Sequence, residues 1–95
     1  MIANGRPRFT LGRLVATPGA LAALTEAGQN PAEFIARHQN CDWGECDADD
    51  RQANDDALVH GARLLSVYRT AKNVTIWVIT EADRSSTCIL LPDEY

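Results

Sequence analysis

The sequence has few cysteines and no long apolar run. These two features argue against a secreted domain held by disulfides and against a membrane-spanning protein. Only 3 of its 95 residues are cysteines, an odd number that is too small for a secreted domain held together by disulfides. No apolar run approaches the roughly 20 residues of a membrane-spanning helix, and the first eight residues lack the apolar core of a secretory signal. We therefore expect a cytoplasmic protein with reduced thiols and no membrane segment.

The sequence also lacks an excess of positive charge. It has 9 Lys and Arg against 13 Asp and Glu, which gives a net charge of −4. The net charge is +2 over residues 1–40, −6 over residues 41–56 and 0 over residues 57–95. A broadly basic surface for nucleic acid or anionic membrane is therefore excluded, and a protein partner is favoured. We expect no cofactor.

Three segments carry helix signals. A Thr-Pro pair at residues 17–18 is an N-cap followed by a proline in the first turn, and Gly28 supplies a C-terminal stop. An Asn-Pro pair at residues 30–31 repeats the start signal, which predicts a helical hairpin. A third helix is predicted over residues 51–59, because the two aspartates before it suit a helix N-terminus.

Four segments predict strands, at residues 9–16, 63–69, 74–80 and 86–91. The third is apolar on both faces, which places it inside the sheet. With no repeats or low-complexity segments, residues 1–95 form one domain, in which residues 1–8 are expected to be a flexible arm. The predicted fold is α+β, a single domain with a mainly antiparallel sheet of about four strands and two or three helices packed on one face.

His38, Glu81 and Arg84 could together provide the chemistry of a small nuclease. Glu81 would be the general base, His38 the acid and Arg84 the cation that holds a phosphate. The other interpretation of residues 80–87 is a polar turn whose hydroxyl groups satisfy the backbone. Nothing in the sequence places His38 beside Glu81, so this enzyme is the alternative to a binding protein.

His38, Cys41 and Cys46 are spaced as zinc ligands can be. The array lacks a CxxC pair, and a cysteine is more often a small buried hydrophobic residue than a ligand. A metal site at these residues is therefore kept only as an alternative.

Seven acidic residues fall within residues 41–56, and Trp43 lies among them. An exposed acidic segment can dock on a basic protein surface, although the usual role of such a segment is a solvated helix face. A tryptophan there either plugs the edge of the domain or anchors a partner. The candidate partner-binding residues are Trp43, Asp42, Asp49, Asp50, Asp55 and Asp56.

Five short motifs lie at residues 14–20, 37–38, 42–44, 77–85 and 90–95 and are together spread over most of the chain. They resemble a group of short bacterial proteins carried on plasmids and integrative elements. The resemblance implies a mobile genetic element and the conflict between such an element and its host, including inhibition of host defence nucleases. It implies no catalytic residue, because the group has no established one to carry over.

The expected function is therefore that of a small acidic, non-enzymatic binding protein of a mobile genetic element. Its partner would be a host protein that handles nucleic acid or serves in defence, which it would inhibit or modulate. The first alternative is a small nuclease or toxin-like enzyme that uses His38, Glu81 and Arg84. The second is a regulatory or structural subunit, with a homodimer formed through an exposed sheet edge.

Overall fold

Within residues 8–95, the fold is built from four strands and three α-helices. The computed structural model describes residues 8–95, so the arm expected over residues 1–8 lies outside the described residues except for Arg8. The elements in chain order are β1 (Arg13–Ala16), α1 (Pro18–Ala27), α2 (Pro31–Gln39), α3 (Ala48–His60), β2 (Leu64–Arg69), β3 (Thr75–Thr80), β4 (Ser86–Leu90) and a 3₁₀ helix (Pro92–Glu94).

The strands form one mixed sheet in the order β1-β4-β3-β2. β2, β3 and β4 are antiparallel neighbours, whereas β1 pairs with β4 in parallel. β3 lies in the interior of the sheet, as its two apolar faces predict. The structure is a single compact domain with a mostly antiparallel sheet and three helices, which confirms the α+β prediction.

Local capping sets the ends of the helical hairpin. The Thr17 side chain accepts a hydrogen bond from the Ala20 N–H at the start of α1. Gly28 ends α1 in the left-handed conformation, with φ 69°, which glycine adopts without steric cost. The Asn30 side chain accepts a hydrogen bond from the Ala32 N–H at the start of α2. Both helix starts are where the sequence predicts them.

The first strand is shorter than predicted, because it begins at Arg13 rather than at residue 9. Gly12 has φ 65°, and a Cβ at this position would collide with the backbone of Ser85. A left-handed residue interrupts the extended conformation, so the segment before it leaves the sheet. Phe9 instead packs edge-on against His38, with ring centroids 5.2 Å apart.

One face of the sheet packs against the helices and forms the main core. Ile76, Val78 and Thr80 alternate along β3 on this face, and all three are fully buried. Neighbouring strands contribute Tyr68 and Ile89 to the same layer, in register with β3. The buried cluster consists of Ala20, Leu24, Phe34, Tyr68, Ile76, Val78 and Ile89.

The opposite face of the sheet is partly covered by the C-terminal residue. The Tyr95 ring packs against Trp77, with ring centroids 5.9 Å apart. The Arg63 guanidinium lies over the Tyr95 ring and donates to its hydroxyl oxygen. Ile79 and Leu90 lie on the same face as Trp77 and are buried.

The two edges of the sheet differ in their cover. Beside β2, the Glu45 N–H donates to the Val67 carbonyl at 2.6 Å, and the Val67 N–H donates to the Trp43 carbonyl at 3.1 Å. This bridge covers part of the β2 edge with a loop. Within residues 8–95, no strand pairs with the outer edge of β1. An edge left open in this way can pair with another chain.

Candidate functional site

Most of the acidic segment lies on α3, at the surface. The helix begins at Ala48, one turn earlier than predicted, because the Asp47 carboxylate caps it by accepting a hydrogen bond from the Asp50 N–H at 2.8 Å. Asn54 and Ala57 lie on the inner side of the helix and are buried. We define the α3 acidic surface as the four exposed carboxylates of Asp49, Asp50, Asp55 and Asp56.

The α3 acidic surface forms no ion pair within residues 8–95. Within residues 8–95 the ion pairs lie elsewhere, at Arg37–Asp42 and Arg69–Glu45. Arg51, the one arginine in α3, donates instead to the carbonyl oxygens of Gly44 and Cys46. The Arg51 guanidinium is therefore held against the preceding loop and forms no ion pair with the four carboxylates.

Asp42 differs from the acids of α3, because it is engaged within the protein. Its carboxylate accepts hydrogen bonds from Arg37 Nε at 2.7 Å and from the Gly44 N–H at 3.2 Å. The hydrogen bond from Arg37 lowers the pKa of Asp42 below its ordinary value. Arg37 is held as well, with its guanidinium 4.4 Å from the centre of the Tyr68 ring. Asp42 therefore shapes its loop and contributes less free charge.

Trp43 is buried, with 3% of its surface exposed, so its ring is not an exposed anchor for a partner. Its indole N–H donates to Asp55 Oδ1 at 3.3 Å, and its ring stacks near Phe9 at a centroid distance of 6.4 Å. The bridge to β2 holds the Trp43 backbone beside the sheet and lets its side chain enter the core. This burial fits the role of a plug at the edge of the domain and corrects its prediction as a partner-binding residue.

His38 is the centre of a buried polar network. Its Nδ1 lies 2.6 Å from Ser66 Oγ, and its Nε2 lies 2.9 Å from Thr80 Oγ1. Thr80 Oγ1 lies 2.7 Å from Thr87 Oγ1, and the Thr87 hydroxyl donates to the Leu11 carbonyl. Burial, with a smaller effect of the Arg84 charge, lowers the pKa of His38 to about 4. The imidazole is therefore neutral at pH 7.

The proposed nuclease residues do not share an open site. His38 has no exposed surface, and both of its ring nitrogens are occupied by hydroxyl groups. The Arg84 guanidinium donates to the carbonyl oxygens of Ala57 and Ala62, at the C-terminal end of α3. Glu81 is exposed and accepts from Arg84 only through its backbone carbonyl. The three side chains therefore do not form one open site in this structure, and the geometry lends no support to the catalytic alternative.

The zinc alternative also fails on the described geometry. Within residues 8–95, no group of three or more His, Cys, Asp and Glu residues is placed to hold a metal ion. The Cys46 thiol donates to the Leu65 carbonyl at 3.4 Å, and the nitrogens of His38 are already bonded. Desolvation raises the pKa of Cys41 and of Cys46 above the ordinary thiol value.

Sequence reasoning missed an apolar groove between β1 and α2, with a volume of about 380 Å³. Leu14 is 54% exposed and Val15 is 44% exposed at the strand that borders it. Neighbouring apolar residues in a short strand were the only sequence signal, and they do not show which edge remains unpaired. The groove is lined by Leu14, Val15, Ala16, Pro31, Ala32, Ile35, Ala36, Gln39 and Ile89.

Comparison with known proteins found no matching family model, no matching curated protein and no matching solved structure. The resemblance to plasmid-borne bacterial proteins therefore rests on the sequence motifs alone. Across residues 8–95, no helix is both long enough and apolar enough to cross a bilayer.

Proposed function

We propose that this protein is a small acidic, non-enzymatic binding protein that docks on a basic surface of another protein. The observation that carries the proposal is the α3 acidic surface, which has four exposed carboxylates on one helix. None of these four carboxylates takes part in an ion pair within residues 8–95. Such a surface attracts a basic partner over several ångströms and raises the rate of encounter.

The contrast between exposed and buried groups supports binding over catalysis. The reactive side chains in the sequence are engaged within the protein, because His38 and Arg84 both form internal hydrogen bonds. The free charge lies on α3 instead. This division favours an interaction surface, and no observation favours the nuclease alternative.

The biological setting proposed here is a mobile genetic element in the bacterial cytoplasm. Its support is the motif resemblance, which points to conflict between element and host. The partner is then a host protein that handles nucleic acid or serves in defence, since such proteins carry the basic surfaces that complement an acidic helix. Direct binding to nucleic acid is disfavoured by the same negative charge.

The test begins with capture of the tagged protein's partner from host lysate, with and without nuclease. The affinity of the identified partner is then measured at low salt for wild type and for a variant with Asp49, Asp50, Asp55 and Asp56 each changed to Asn. Asparagine keeps the oxygen that accepts from the Trp43 indole. Four exposed charge pairs at about 0.4 kcal/mol each sum to roughly 1.5 kcal/mol, so the affinity should fall about tenfold.

The matched control changes four exposed acids elsewhere: Glu26→Gln, Glu33→Gln, Glu81→Gln and Asp93→Asn. It alters the net charge by the same amount and should retain most of the affinity. Equal weakening by both variants would show a general charge effect and contradict docking through α3. Cleavage of RNA or DNA by the purified protein, lost in His38→Ala, would instead support the nuclease alternative.

A further inference from the structure

The open edge of β1 presents a specific set of backbone groups. The N–H groups of Arg13 and Thr17 donate to the carbonyls of Ser85 and Ile89 in and beside β4, each at 3.0 Å. Successive residues of a strand direct these groups to opposite sides. The N–H and C=O groups of Leu14 and Ala16 therefore point away from β4, toward the open edge.

We propose that β1 pairs antiparallel with β1 of a second copy of this chain, on a two-fold axis that passes beside Val15. Leu14 of each copy then lies opposite Ala16 of the other, and the outward groups of both residues form four hydrogen bonds. The result is a continuous eight-stranded sheet. This interface is separate from the α3 acidic surface and does not depend on it.

The chain itself selects this register. A shift in one direction places Leu14 opposite Pro18, which has no N–H to donate. A shift in the other direction requires Gly12 as a strand residue, but its φ of 65° excludes it from the strand. The pairing centred on Val15 uses the outward N–H and C=O groups of both Leu14 and Ala16. It also places the large side chain of Leu14 opposite the small side chain of Ala16.

Charge complementarity supports the same register. Arg13 is exposed, forms no ion pair within residues 8–95, and would lie opposite Thr17 of the second copy. The Thr17 hydroxyl donates to the Glu94 carboxylate, which also accepts from the Gly19 N–H at 3.1 Å. Directly opposite side chains in an antiparallel pair lie on the same face. Arg13 of each copy therefore approaches Glu94 of the other, and the two-fold axis makes this contact twice.

The groove beside β1 gives the interface an apolar part. It is formed by β1 and by one side of α2, which includes the small residues Ala32 and Ala36 together with Ile35. The second copy would bring its own Leu14 and its own α2 to this position. Leu14 and Val15, now 54% and 44% exposed, would become covered.

Light scattering over a range of protein concentrations tests for the dimer. The mass should rise with concentration from 10.4 kDa toward twice that value. Leu14→Pro removes an N–H that faces the open edge and leaves the β1–β4 hydrogen bonds intact. Arg13→Glu places the new carboxylate of one copy beside the Glu94 carboxylate of the other. Both variants should weaken dimerisation at least tenfold. Leu21→Glu, which removes an exposed apolar residue from α1, should dimerise like wild type.

A cysteine at the two-fold axis tests the register directly. Opposite residues of a non-hydrogen-bonded pair have Cα atoms about 4.5 Å apart, within the range of a disulfide. Val15→Cys should therefore form a covalent dimer with oxidised glutathione. The substitution is made together with Cys88→Ser, because Cys88 is the register partner of Val15 in β4. The control is Val59→Cys, because Val59 lies on α3 and is 78% exposed. This variant should form much less covalent dimer than Val15→Cys.

Two outcomes would overturn the proposal. One is a mass of 10.4 kDa at every concentration together with no preferential cross-link at residue 15, which would leave the groove to another occupant such as an extended peptide. The other is a dimer that Leu14→Pro and Arg13→Glu leave unchanged, because that dimer would use a different surface. Neither outcome bears on docking through α3.

Discussion

Lowering the pH from 7 to 5 should destabilise the protein through His38. The imidazole is fully buried, and its surroundings suit only the neutral form. Hydroxyl groups of Ser66 and Thr80 occupy its nitrogens, and the rings of Phe9 and Trp43 pack edge-on against it, with centroids 5.2 and 5.8 Å away. No carboxylate is among these contacts, and both burial and the positive charge of Arg84 oppose the charged form of the imidazole.

The pKa difference sets the size and the direction of the effect. Burial lowers the pKa of His38 in the folded protein to about 4, against 6.5 in an unstructured chain. Because the unfolded chain binds this proton more readily, the contribution to stability is complete above pH 6.5 and is lost as the pH falls toward 4. The loss is about 2 kcal/mol at pH 5 and approaches about 3.4 kcal/mol below pH 4.

Urea unfolding at several pH values, followed by tryptophan fluorescence, measures this loss. The free energy of unfolding should fall by about 2 kcal/mol between pH 7 and pH 5 in wild type. His38→Gln should be less stable than wild type at pH 7, because an amide replaces only part of the hydrogen-bond network. Its free energy of unfolding should change little between pH 7 and pH 5. His60→Gln, which replaces the exposed histidine at the end of α3, is the matched control for a histidine substitution outside the buried network.

The range from pH 5 to pH 7 isolates His38 from the carboxylates. Hydrogen bonds lower the pKa values of Asp42, Asp83 and Glu94, so these groups stay charged at pH 5 and affect stability only at lower pH. Equal slopes for wild type and His38→Gln would refute the reasoning. So would an NMR titration in which the His38 ring protonates near pH 6.5 in the folded protein.

Three further predictions concern stability and reactivity. Gly12→Ala should cost about 3 kcal/mol or more in urea unfolding, because its Cβ meets the Ser85 backbone; Gly28→Ala, with a similar φ but open space around it, should cost only about 1 kcal/mol. Asn54→Ala should cost about 2–3 kcal/mol by the same measurement, since the Asn54 amide bonds to both the N–H and the C=O of Leu65. The three cysteines should react slowly with Ellman's reagent at pH 7 and faster in urea, because burial raises their pKa values; equal rates would contradict that cause.

The sequence by itself determined the local structure of this protein. Capping and stop signals act within a few residues, so the Thr17 start, the Gly28 stop and the Asn30 start could be predicted from neighbouring residues. Strand periodicity did the same for β2, β3 and β4. The sequence also places seven acidic residues within residues 41–56, although their exposure follows only from how α3 packs.

The tertiary structure alone decided which side chains are available. His38 lies on α2, over β2 and β3, and Trp43 lies in the loop beside β2. Burial at these positions closes both side chains to substrate and partner. Arg84 is drawn to the end of α3 by carbonyl groups distant in sequence. None of these contacts follows from spacing along the chain.

The open edge was likewise decided by the tertiary structure. The order of all four strands decides whether β1 lies between two strands or at the edge of the sheet. That order is set by packing between residues that are far apart in sequence. The left-handed Gly12 then trims β1 to four residues and fixes which backbone groups face outward. Local patterns encode elements, whereas long-range packing determines which of their surfaces remain for another molecule.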